Sequence, residues 1–186
     1  MGLKVIIPVL LGWLLMKYAL LSNASFETSF QCGILYHTTA LISLAVASTW
    51  NGIKSFPSTP DFIDGFKHVA KAVISYAVGA TVLIGVWHHG LMKESTQERL
   101  DDLKTGISTH YSSEEDFQTY LSDEGLPSDV VLTDWVEQSI EQVELLYAPS
   151  VQFSLSLMVY LVLGLFISLI ASFLWTKVWF TQQSGN

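Results

Sequence analysis

Cysteine is almost missing from this chain: Cys32 is the only one in 186 residues. It has no partner for an internal disulfide, so the redox compartment is not readable, and a four-cysteine, quinone-linked disulfide-generating oxidoreductase is excluded. Charge is scarce as well, at 14% of residues, and no Asp or Glu lies in the middle of a long apolar stretch. An intramembrane carboxylate relay or aspartyl protease therefore has no catalytic groups. Walker-type, zincin and nucleophile-elbow motifs are absent. The acidic turn Asp123–Asp129 lacks the ligand spacing of a calcium loop. Gly2 makes no myristoylation signal, because position 6 is Ile6. No internal repeat or low-complexity tract is visible.

What the chain does have is apolar length. Half of its residues are apolar, its mean hydropathy is +0.40, and four apolar stretches cover about 5–21, 34–50, 70–87 and 151–175. A hydrocarbon core of about 30 Å needs roughly 20 mostly apolar residues in a helix. The last stretch clears that length and the first three lie near its lower limit. With charge confined between them, they read as lipid-facing spans rather than a soluble core. The predicted fold is all-α: a polytopic, four-transmembrane-helix bundle with a helical extracytoplasmic insertion between spans three and four. Residues 1–92 hold three spans, 93–148 the insertion, and 149–186 span four with a tail. Span one carries Lys4 as a minimal basic start and Ser22-Asn23-Ala24 as a cleavage-like site, but its length, Trp13 and Lys17 predict retention rather than cleavage.

Lysine placement sets the predicted orientation. Lys54, Lys67 and Lys71 cluster between spans two and three, Lys4 precedes span one, and Lys177 follows span four. Both termini are thus expected to be cytoplasmic, although Lys93, Arg99 and Lys104 pull the other way. Lys17 is expected to snorkel to the headgroups. After the turn Asn51–Pro60, Thr59, Pro60 and Asp61 read as a cap, a first-turn proline and a dipole-matching acid. They open a short amphipathic helix over about 60–69, whose apolar positions include Phe62, Ile63, Phe66 and Val69. Its plainer reading is an anchor for span three; the alternative is a docking surface for anionic lipid or a partner. Lys67, Lys71, Trp50, Trp87 and Trp175 are assigned to the membrane interface.

The net charge of −8 is concentrated rather than spread: 14 of the 17 acidic residues lie between Glu94 and Glu144. Such a module argues against nucleic acid as a partner. Three helical pieces are predicted in it: Lys93–Lys104, one opened by Ser113 with Asp116, and one capped by Asp134. Each amphipathic stripe must bury against something, and a small helical cap is the economical arrangement.

Two constellations stand out. His37 lies about one turn into span two, while His88 and His89 follow span three. Should these helices be antiparallel neighbours, their imidazoles reach similar depth, and a two-histidine haem, copper or zinc site is sterically possible. The plainer reading is interfacial, because Trp87, Tyr36, Thr38 and Thr39 surround them. The second is the small-residue stripe Gly164, Ser168 and Ser172, at four-residue spacing on span four. It lets another helix backbone approach closely, inside the bundle or on a partner.

The layout of spans, the segment Asp61-Phe62-Ile63-Asp64-Gly65-Phe66-Lys67 and the closing run Ile167-Ser168-Leu169-Ile170-Ala171-Ser172 through Lys177 resemble a family of uncharacterised four-span membrane proteins best represented in Bacteroidetes. The family's usual proline-bearing exit from span three is replaced here by His88-His89-Gly90. The resemblance implies a bacterial inner-membrane protein and transfers no catalytic residues. The expected function is a non-enzymatic accessory or assembly subunit without a cofactor. Its expected partners are the lipid bilayer and a membrane protein or a second copy. The alternatives are a small redox or metal-binding protein using His37 with His88 or His89, and an oligomeric small-solute carrier.

Overall fold

The computed structural model describes residues 3–21, 24–56, 58, 60–111, 113–125 and 129–179. Among these the chain is all-helical, with no strand. Seven α-helices follow one another: α1 Leu3–Leu20, α2 Phe26–Ser55, α3 Phe62–Val86, α4 Lys93–Ser108, α5 Glu114–Asp123, α6 Leu132–Tyr147 and α7 Pro149–Phe173. Single π-helical segments, Trp87–Leu91 and Leu174–Trp179, follow α3 and α7. Three helical stretches, Phe26–Ser55, Phe62–Leu91 and Pro149–Lys177, are long and apolar enough to cross a membrane. The 18-residue α1 is not one of the three. The cleavage-like site at Ser22 and Asn23 and the Thr59 cap lie outside the described residues.

Two of these three helices are longer than the apolar stretches that announce them. α2 starts eight residues before Ile34, because Ser25 caps it: the Thr28 amide donates to Ser25 Oγ at 3.2 Å. The amphipathic segment and span three form the single helix α3. Its cap is Asp61, whose Oδ1 accepts from the Asp64 amide at 2.8 Å. The sequence reading made Asp61 a first-turn acid; the helix instead begins one residue later, and the same carboxylate serves its end.

The chain divides into two compact units, residues 1–83 with 156–186 and residues 84–155. In the first unit α1 packs on α2, and small residues let the helices approach. A Cβ added at Gly164 would come within 2.5 Å of a Val73 methyl and 3.6 Å of Leu41. The Gly164, Ser168 and Ser172 stripe is fully enclosed, so its close-approach surface is used within this unit. Two hydroxyls inside the unit fold back on their own helices, Ser168 donating to the Gly164 carbonyl at 2.7 Å and Thr81 to the Ala77 carbonyl at 2.9 Å, while Ser48 of α2 donates across to the His68 carbonyl of α3 at 3.3 Å. Large apolar side chains such as Val162, Phe166 and Phe173 point outward. That apolar exterior suits a lipid solvent, where packing rather than hydrophobicity holds helices together.

The second unit has an ordinary soluble pattern at small scale. Phe117 and Leu121 are buried, and Phe117 forms an aromatic cluster with Tyr111 and Trp135 at ring-centroid separations of 5.1 and 5.6 Å. Ser113 caps α5 as its spacing predicts, accepting from the Asp116 amide at 3.2 Å. Asp134 does not cap α6. That helix starts at Leu132, whose amide donates to Glu114 Oε2 at 3.0 Å, so the capping carboxylate comes from α5. α4 packs on α6, and Lys104 pairs with Glu144 between them.

Candidate functional site

The polar heart of the first unit is built around His37. Its ring is buried on α2, and Nδ1 lies 2.8 Å from the Tyr76 hydroxyl of α3. Trp13 of α1 and Tyr160 of α7 each place a ring centroid 5.1 Å away. Tyr36 stands edge-on at 6.2 Å, and its hydroxyl crosses to the Val9 carbonyl at 2.7 Å through the space left by Gly12. Four helices therefore converge on one imidazole. Nε2 of that ring is buried and makes no hydrogen bond.

Next to this box lies a cation. Lys17 is only 4% exposed, in contrast to the snorkelling expected of it. Its Nζ donates to Ser29 Oγ at 2.7 Å and to the Ser29 carbonyl at 3.1 Å, and it sits 5.9 Å from the Trp13 ring centroid. The reason is the packing of α1 on α2, which brings the first turn of α2 within reach of the lysine. A donor that finds three protein partners does not need the headgroups.

The other end of the same unit is organised by Trp175. Assigned to the interface from sequence, it is 1% exposed. Gly52 and Gly65 leave the space its ring fills, while Phe56 and His68 meet it edge-on at 5.5 and 5.8 Å. This contact gathers the C-terminal end of α2, the start of α3 and the end of α7 in one place. Trp50 does face outward, 51% exposed, with Lys54 Nζ 4.9 Å from its ring centroid. Lys67 and Lys71 are exposed on α3, and Lys67 pairs with Asp64 at 3.3 Å.

His88 and His89 belong to the second unit, whereas His37 belongs to the first. The π-helical segment that carries them is closed by the Met92 amide donating to the Trp87 carbonyl at 2.8 Å. The carbonyl of His88 accepts from Thr96 Oγ1 at 3.0 Å, and His89 Nε2 lies 2.9 Å from Gln152 Oε1. Trp87 is buried there. Among the described residues, no three His, Cys, Asp or Glu side chains are grouped to hold a metal ion.

Sequence reasoning identified His37 and the small-residue stripe but missed Tyr76, Tyr160 and the Lys17–Ser29 pair. Tyr76 and Tyr160 sit within apolar runs, and a tyrosine there carries no periodic signal that separates a polar core from an interface belt. No family model matches the chain, and neither does any curated protein or solved structure.

Proposed function

We propose that this is an integral inner-membrane protein of four spans, α1 included, with both termini cytoplasmic, acting as an accessory or assembly subunit rather than as an enzyme. The resemblance to the four-span bacterial family supports the membrane and the layout; the lysine distribution supports the orientation. The observation that carries the contact role is α6. It is amphipathic, yet none of its 16 residues is buried, and Leu145 and Leu146 are 58% and 51% exposed beside Glu141 and Glu144. An exposed leucine pair beside carboxylates, at the end of a helix whose other apolar residues are half-covered, suits contact with another protein. The test is gentle purification of a C-terminally tagged chain from native membranes, with mass spectrometry of what co-elutes. A stoichiometric subunit, lost from the Leu145→Ser, Leu146→Ser double variant, is the expected result. A partner-free monomer with a measurable activity overturns the reading.

A second reading, a small redox or metal-binding protein, is favoured by one observation, the buried Nε2 of His37 with no hydrogen bond. A visible spectrum and metal analysis of freshly purified protein decide it: no bound metal or chromophore removes it.

A further inference from the structure

We infer that the exposed face of α3 is a binding site for an anionic glycerophospholipid, with the headgroup phosphate held by Lys71 and Lys67. One stripe of this helix faces outward along its whole length in the first unit: Ile63, Lys67, Lys71, Ile74, Val78 and Val82. These residues recur at three- and four-residue spacing, so they stand above one another on a single surface. The two lysines therefore head a continuous apolar strip. Beyond Lys71 the sequence carries no Asp, Glu, Lys or Arg until Lys93.

The dimensions match a lipid. Lys71 to Val82 spans about 16 Å of helix at 1.5 Å per residue. One leaflet supplies roughly 15 Å of hydrocarbon, half of a core of about 30 Å. A phosphate at Lys71 thus puts an acyl chain over Ile74, Val78 and Val82, ending near the last of them. The charge matches too. Lys67 and Lys71 are four residues apart, a like-charge spacing that repels on a bare helix. Lys67 is partly balanced by Asp64 at 3.3 Å, whereas Lys71 enters no ion pair among the described residues. A phosphate between the two ammonium groups turns that repulsion into attraction, with a net negative headgroup favoured over a zwitterionic one. Ser75 does not compete for the phosphate, because its hydroxyl donates to the Lys71 carbonyl at 2.8 Å.

This inference requires only that the protein sits in a bilayer, not the accessory role. The experiment uses the full chain reconstituted into phosphatidylcholine vesicles containing trace spin-labelled phosphatidylglycerol or spin-labelled phosphatidylcholine. The fraction of motionally restricted probe gives relative association. Wild type is expected to prefer phosphatidylglycerol about fivefold, the factor for one lysine acting at an anionic surface. The preference should shrink as salt is raised. It should fall to near parity in Lys67→Gln, Lys71→Gln and persist in Lys54→Gln, whose lysine lies over Trp50. Equal association of both lipids with wild type overturns the inference, as does an unchanged preference in the double variant. An equal loss in Lys54→Gln assigns the effect to the charge of the whole end and also overturns the α3 site. If neither probe shows a restricted component, the chain is not membrane-embedded, and the inference falls together with the proposed function. Equal association combined with loss of a co-purifying subunit from the double variant gives this face to a protein instead.

Discussion

The two units of this molecule differ most in what they show to their surroundings. In the first, glycine, alanine, serine and a His37–Tyr76 pair share the inside with Leu41, Leu44, Val69 and Val73, while further valine, leucine and phenylalanine side chains cover the outside. In the second, phenylalanine, tyrosine and tryptophan make a small core under a coat of carboxylates. The comparison shows what each medium leaves for the protein to do. Water drives apolar groups together, so a few rings suffice to order the second unit. A lipid solvent would give no such push, and there the first unit would depend on close backbone approach at Gly164 and on polar contacts such as His37 with Tyr76.

Three substitutions test that contrast. The largest effect is expected from Phe117→Ala, which removes the central ring of the second unit. A buried aromatic truncated to alanine costs about 3–5 kcal/mol, enough to open a module this small. Limited proteolysis should then cut within 109–131 while helicity of the rest survives; a loss of the first unit as well would show that the two do not fold separately. Next comes Gly164→Val, which forces a side chain against Val73. Overpacking costs about 1–3 kcal/mol, read as a lowered thermal midpoint by circular dichroism in mild detergent. An unchanged midpoint would mean the small-residue contact does not hold the helices. The smallest effect is Tyr76→Phe, which leaves both His37 ring nitrogens without a protein hydrogen bond. A loss of about 1 kcal/mol is expected in the same melt. A stabilised variant would show that the pair is kept for a purpose other than stability.

How much of this was legible follows from where each signal lives. The long apolar helices and the acidic module are properties of local composition, and Ser113 as a cap is a property of three residues, so all could be read directly. Gly164, Ser168 and Ser172 announced a packing stripe, but Val73 and Leu41 lie about 90 and 120 residues away in the chain, and no local pattern names them. The same distance hid the cap of α6, since Glu114 reaches across from another helix to the Leu132 amide. The burial of Lys17 and Trp175 was hidden for a related reason. Both belong to residue types that gather at membrane interfaces, and only the packing of α1 on α2 and the glycines at 52 and 65 reveal that each has been drawn inside.

Lys17 also bears on how such a chain is made. A lysine on an isolated helix costs about 2.5–3.5 kcal/mol at the bilayer centre, and less, with the same sign, one turn from an end. Here its ammonium is met by Ser29 in the first turn of the following helix. On the four-span reading proposed above, the lone first segment would be a poor client for the insertion machinery and the hairpin of α1 and α2 a better one. That reading has the two helices delivered to the membrane as a pair.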